Sequence, residues 1–230
     1  MKNQITFICL LLFLIQFPGY SQNNRLEDFA NFEKYAGANK KLAPPKPGEN
    51  RIVFMGNSIT EFWESSFFSD NSYINRGISG QTTSQMLLRF RDDVINLQPQ
   101  VVVILAGIND IAENTGPIAL KDIFGNIVSM SQLAEANGIK VILCSVLPVY
   151  DFNWNPGLKP AEKIVKLNNM IKSYCEKNNI TYVDYYSSMV DERKGLDKKY
   201  SEDGVHPNLA GYKVMEPIFQ KAINITISEK

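Results

Sequence analysis

Five consecutive apolar residues, Val101-Val102-Val103-Ile104-Leu105, constrain this chain more than any other feature. A run that short with no polar position suits a strand covered on both faces, not the alternating strand of a half-exposed sheet. Short β-rich runs of similar kind occur at residues 51–55, 73–75, 141–146 and 181–185. Between them lie stretches of helical period. Residues 81–97 carry Met86, Leu87, Phe90, Val94 and Leu97 on one face, and residues 118–137 carry Ile118, Leu120, Ile123, Ile127, Met130, Leu133 and Ala134. Residues 160–176 follow the same rule with Ile164, Leu167, Ile171, Tyr174 and Cys175, and a last helix is expected over residues 207–222. Strands alternating with helices predict an α/β fold, a parallel sheet wrapped on both faces and joined by right-handed crossovers. Ligands of such folds sit beyond the carboxyl ends of the strands.

The chain has 230 residues, the length of one well-buried domain. Residues 1–21 read as an export signal: Lys2 gives a positive start, residues 5–17 are apolar, and Gly19-Tyr20-Ser21 is a small-residue exit. The apolar run is short for a membrane span, although an uncleaved anchor is the alternative. The expectation is an exported protein, periplasmic or secreted, with no stable membrane span after cleavage. Cleavage would leave two cysteines, Cys144 and Cys175, too few for a disulfide framework, and both fall among apolar neighbours. Residues 22–50 form a lead-in, an amphipathic stretch (Leu26, Phe29, Ala30, Phe32, Tyr35) followed by the connector Ala43-Pro44-Pro45-Lys46-Pro47-Gly48. Residues 51–230 make the main domain. The 24 basic and 24 acidic side chains balance, so the sequence carries no footprint for a nucleic-acid partner.

The informative polar residues fall after strand ends. The first predicted strand runs into Gly56-Asn57-Ser58-Ile59-Thr60, where a serine at a strand-to-helix turn either caps the helix or presents its hydroxyl as a nucleophile. A serine nucleophile needs a base. The sequence contains one histidine, His206, in Ser201-Glu202-Asp203-Gly204-Val205-His206-Pro207. Asp203, three residues earlier across a glycine, can turn back to the imidazole and fix its tautomer. Asn75-Arg76-Gly77-Ile78-Ser79-Gly80 follows the second strand and Ala106-Gly107-Ile108-Asn109-Asp110 the third. Each alone reads as a turn. With Ser58 they supply three candidate donors for an oxyanion: the N–H of Ser58, the N–H of Gly80 and the side-chain amide of Asn109.

These blocks, taken in order, resemble the SGNH or GDSL-type esterases and acylhydrolases. Gly56-Asn57-Ser58-Ile59 is similar to the nucleophile block and Ser79-Gly80 to the glycine block. Gly107-Ile108-Asn109-Asp110 matches the asparagine block, and Asp203-Gly204-Val205-His206 the Asp-x-x-His block. The resemblance spans residues 51–215 and implies a three-layer α/β/α, flavodoxin-like fold with five parallel strands. It implies Ser58 as nucleophile and first oxyanion donor, Gly80 and Asn109 as the other donors, His206 as base and Asp203 as its orienter. No metal or organic cofactor is implied. The chain departs from the family at Asn57, where aspartate is usual, and at Ile59, where leucine is usual. Asn keeps an acceptor, so the turn should survive with a changed local charge.

The aromatics of residues 62–68 and 149–156 serve either as core and loop anchors or as a platform for a sugar ring or short acyl group. The resemblance leans to short-acyl members, similar to platelet-activating-factor acetylhydrolase-like and carbohydrate acetylesterases. The expected substrate is therefore a small or carbohydrate ester, the acyl group acetyl. The alternatives are a lysophospholipase or thioesterase acting on longer chains, and a non-catalytic binding protein on the same fold. With a single histidine, hydrolysis should be lost in acid through one ionisation step. A rate profile flat from about pH 5 to 8, with chemistry rate-limiting, would remove His206 as the base.

Overall fold

The computed structural model describes residues 26–63 and 65–228. The expected signal segment lies outside them. Five strands form a single parallel sheet: β1 (Ile52–Gly56), β2 (Ile74–Gly77), β3 (Val101–Leu105), β4 (Lys140–Cys144) and β5 (Thr181–Val183). Their order is β2-β1-β3-β4-β5. β1 and β3 occupy the centre, and every residue of both is buried, as their unbroken apolar character requires. The chain steps once to the left from β1 to β2, then crosses over β1 and steps rightward to β5. With right-handed crossovers, that reversal sends helices to both faces.

The helices Thr83–Asp93, Leu120–Ala136 and Pro160–Asn178 lie side by side on one face. The other face is aromatic. Phe54 of β1 meets Phe68 at 5.0 Å and Phe219 at 4.8 Å, while Trp63 stacks on Phe67 at 4.8 Å and on Tyr212 at 5.3 Å. These rings come from β1, from the helices Ser65–Asn71 and Leu209–Ser228, and from the turn at Trp63. The three-layer α/β/α fold expected from the sequence is the fold observed.

Strand ends differ from the sequence pattern for identifiable reasons. The apolar run continues to Val146, yet β4 stops at Cys144. The side-chain amide of Asn168 accepts from the Val146 N–H at 2.8 Å and donates to its carbonyl at 2.9 Å, replacing the ladder there. The lead-in is two short helices, Leu26–Ala30 and Glu33–Lys41, separated by Asn31 in a left-handed conformation (φ 54°). It packs against the helix Thr83–Asp93. Within the segment 62–68, read from the sequence as core and loop anchors or as a platform, residues 65–68 belong to a helix, Ser65–Asn71, whose Phe67 and Phe68 enter the core. Cys144 and Cys175 are both buried. Among the described residues, no helix is long and apolar enough to cross a membrane.

The register aligns Gly56 of β1 with Gly77 of β2 and Leu105 of β3. Past that line the chain turns three times, and the site lies there. Gly77 allows the closest approach of backbone to backbone, since a Cβ on it would stand 2.3 Å from the Glu61 nitrogen and 2.7 Å from the Asn57 carbonyl oxygen. Both are backbone atoms that cannot rotate away. Gly77→Ala should therefore cost about 2–3 kcal/mol and push the Asn57-Ser58 turn off its strand. The urea midpoint should fall, and ester hydrolysis should fall further than the lost folded fraction explains.

Candidate active site

The turn after β1 is built by Asn57. Its Oδ1 accepts from the Ile59 N–H at 3.0 Å, and its carbonyl accepts from the N–H groups of Thr60 (3.1 Å) and Glu61 (2.8 Å). Ser58 thereby begins a helix of one turn, Ser58–Glu61. So short a helix has little macrodipole, and its usefulness to an anion rests on individual N–H groups. The Asn57 Nδ2 is buried with no partner. The turn thus uses only the acceptor, which a carboxylate in the same place would also supply.

His206 arrives from the other end of the chain. Its Nε2 lies 2.9 Å from the Ser58 Oγ, and its Nδ1 lies 2.6 Å from the Asp203 Oδ2. The other carboxylate oxygen of Asp203 accepts from the backbone N–H groups of Val205 and His206, both at 2.8 Å, and from the Ser201 Oγ at 3.1 Å. Burial alone would raise Asp203, but the imidazole and these N–H groups outweigh it and hold the carboxyl at about 2. An ionised carboxylate can only accept. The proton between the two residues therefore sits on the His206 Nδ1, leaving the bare Nε2 to accept from the Ser58 hydroxyl. The loop is fastened to the Ser58 turn downstream, where Tyr212 donates its hydroxyl to the Ile59 carbonyl at 2.9 Å.

The other two turns bring donors. Gly80 has φ 77°, a left-handed conformation that favours glycine, and its carbonyl accepts from the Asn114 amide at 3.1 Å. Neither the Ser58 N–H nor the Gly80 N–H donates to another group among the described residues. Asn109 is buried and donates from Nδ2 to the Gln81 carbonyl at 3.0 Å, next to Gly80. An amide nitrogen carries two hydrogens, so this bond orients Asn109 and leaves one N–H for another acceptor. Asp110 anchors the segment by accepting from the Thr83 N–H at 2.9 Å and its hydroxyl at 2.6 Å. Burial pushes the Asp110 carboxyl up, opposed by those two bonds.

Arg89 was not expected from the sequence. Its side chain is fully buried. Nε donates to the Gln81 Oε1 at 2.5 Å, and Nη1 to Asp93 at 2.7 Å. Nη2 is shared by the carbonyls of Gly56 (3.1 Å) and Arg76 (2.9 Å). One guanidinium thus ties the end of β1, the end of β2 and the loop that holds Asn109. The lead-in closes over this knot. Gln81 donates to the Ala30 carbonyl at 2.7 Å, Asn39 donates to Asp93 at 2.6 Å, and the Tyr35 hydroxyl donates to the Gly77 carbonyl. A signal was available: Arg89 and Asp93 stand four apart on the apolar face of their helix, between Met86 and Val94, where unpaired charges would be untenable.

The aromatic segments divide. Trp63, Phe67, Phe68 and Phe152 are buried, while Phe62, Tyr150 and Trp154 are half exposed. Phe62 and Trp154 have ring centroids 5.8 and 6.5 Å from the His206 imidazole. No cluster of three or more His, Cys, Asp or Glu side chains suited to a metal ion occurs among the described residues.

The profile of the GDSL-like Lipase/Acylhydrolase family matches residues 54–214, from β1 into the last helix. The chain belongs to this family. By family it is a carboxylic ester hydrolase. The crystal structure of a candidate acylhydrolase from Bacteroides fragilis NCTC 9343 is 55% identical. It superposes with a TM-score of 0.85 over 86% of this chain and 98% of that one. The chain is 24% identical to the acetylxylan esterase of Geobacillus stearothermophilus over 65% of its own length and 71% of that protein. It is also 34% identical to the uncharacterized lipoprotein YqeF of Bacillus subtilis (strain 168), over 35% of its own length. That match spans about a third of the lipoprotein (34%).

Replacing Arg89 by Met would leave the buried Asp93 without its ion partner, the Asn39 amide alone donating to it, at a cost of about 3–5 kcal/mol. The double variant Arg89→Met/Asp93→Leu should regain most of that stability in urea denaturation. It should not regain full turnover, because the carbonyls of Gly56 and Arg76 still lack their donor and Gln81 its anchor.

Proposed function

We propose that this protein is a serine esterase that removes short acyl groups, acetyl foremost, through a Ser58-His206-Asp203 triad. The observation that carries the reading is the Ser58 Oγ at 2.9 Å from a His206 Nε2 whose opposite nitrogen lies 2.6 Å from Asp203. His206 takes the Ser58 proton as Oγ attacks the carbonyl carbon, and Asp203 stabilises the imidazolium that forms. The oxyanion is received by the N–H groups of Ser58 and Gly80 and the free N–H of Asn109. His206 then gives its proton to the leaving alcohol oxygen. A water deprotonated by the same nitrogen releases the acid from the acyl-serine.

Acetyl is supported by the relative named acetylxylan esterase. Export is part of the proposal. Residues 1–21 have the composition of a signal, and a lipoprotein stands among the relatives.

The test is hydrolysis of nitrophenyl esters from acetyl to dodecanoyl by the wild type and by Ser58→Ala. Turnover should be highest on acetyl and fall by about 10⁶-fold in the variant. A preference for the longest chains would replace the acyl group with a lipid-like one. Activity retained by Ser58→Ala would end the serine mechanism. Asp203→Asn should lower kcat by about 10⁴-fold, because an amide can donate to the imidazole and leave the wrong nitrogen protonated.

A further inference from the structure

We infer that Phe62 and Trp154 form a subsite for the alcohol half of the ester, and that this alcohol is a saccharide. The inference rests on the esterase reading above and adds which half of the substrate the protein selects. Its starting point is the position of the two rings. In the proposed mechanism the His206 Nε2 hands its proton to the leaving oxygen, so side chains beside the imidazole stand beside the alcohol. The acyl carbonyl instead points to Ser58, Gly80 and Asn109. Phe62 and Trp154, 57% and 50% exposed, are the rings that accompany the imidazole.

Single exposed aromatics are ordinary on a protein surface. These two are held unusually well. Phe62 ends the nucleophile's helical turn, its N–H donating to the Ser58 carbonyl at 2.8 Å. Trp154 sits in a loop fastened at several points. Asn153 donates to the Asp203 carbonyl at 3.1 Å, and Asn155 to the Ala112 carbonyl at 3.1 Å. Asp151 accepts from the N–H groups of Phe152 and Gly157, both at 3.0 Å. The Trp154 ring also rests on buried Phe152 at 5.1 Å. A loop that ties down an indole while leaving half of it uncovered presents a pre-organised face to a ligand.

The surroundings choose among flat or ring-shaped alcohols. Beyond Asp203 on the same loop opens a cavity of about 290 Å³ lined by Tyr150, Asn153, Arg193, Lys198, Glu202 and Asp203, among others. Donors and acceptors of both charge signs alternate there, and Arg193 covers the Tyr150 ring at 5.1 Å. A fatty or aryl alcohol would gain nothing from such a wall. A sugar bonded to further sugars offers C–H faces to the rings and hydroxyls to the cavity.

The experiment compares three acetates that differ only in the alcohol: ethyl acetate, cyclohexyl acetate and a mono-O-acetylated methyl pyranoside. The wild type should favour the pyranoside in kcat/KM. In Phe62→Ala and Trp154→Ala the ratio of pyranoside to ethyl acetate should fall by about tenfold, and Trp154→Phe should keep most of it. An unchanged ratio in both alanine variants would overturn the subsite. Equal preference for cyclohexyl acetate would overturn the saccharide. A change in acyl-chain preference at constant alcohol preference would place the rings on the wrong half of the ester. If the wild type cleaves none of the three and Ser58→Ala behaves identically, the esterase reading itself fails and the subsite falls with it.

Discussion

The site depends on a charge hidden below it. Arg89 lies under the carboxyl ends of β1 and β2, and four of its five N–H groups go to Asp93, Gln81 and the carbonyls of Gly56 and Arg76. The Gly56 carbonyl also accepts from the Ile78 N–H at 3.1 Å, but carbonyls at strand ends run short of ladder partners, and burying them unpaired is costly. Only arginine has a planar fork wide enough to serve several of them at once. Burial presses this guanidinium below its ordinary value, with Asp93 opposing the shift. The arrangement is expensive, and what it secures is the relative placement of three turns.

Those turns make an asymmetric bowl. On one side are backbone and amide donors, rigidly mounted and in part unengaged. On the other is an imidazole whose tautomer is dictated by a carboxylate that stays ionised far into acid. The two sides come from opposite ends of the chain and are joined, besides the Ser58–His206 contact itself, by the bond from Tyr212 to the Ile59 carbonyl. Asn57 fits this picture. It needs one acceptor to shape the turn, and nothing around it calls for a negative charge.

Much of this was legible in the residues. The unbroken run at β3 fixed the sheet as buried and parallel, and the glycines and polar residues after strand ends marked its working edge. The single histidine left no choice of imidazole. Other features were hidden because they depend on tertiary partners. The early end of β4 comes from Asn168, far along the chain, which no local pattern reports. The helix at residues 65–71 was obscured by its aromatics, which suit a loop anchor equally well until Phe54 and Phe219 are seen to surround them. Which aromatics face outward also required the fold, since Phe62 and Trp63 are adjacent yet lie on opposite sides of the packing boundary. Arg89 is hidden in the sequence because its partners, the carbonyls of Gly56 and Arg76 and the Gln81 amide, meet it only in the folded chain.

The distribution of contacts along the chain has a consequence for how the enzyme matures. The knot around Arg89 and the turns with Gly80 and Asn109 use residues 30 to 114, with partners such as Ala30 and Gln81 only 51 positions apart. The Ser58–His206 contact closes over 148 positions. Chain segments made first can therefore assemble the donor side while the segment bearing the base is still absent, since short loops close more readily than long ones. The half-built protein would hold those N–H groups in place and yet, in the proposed mechanism, lack the imidazole that moves the proton. On that mechanism, competence then arrives only with the segment that carries His206.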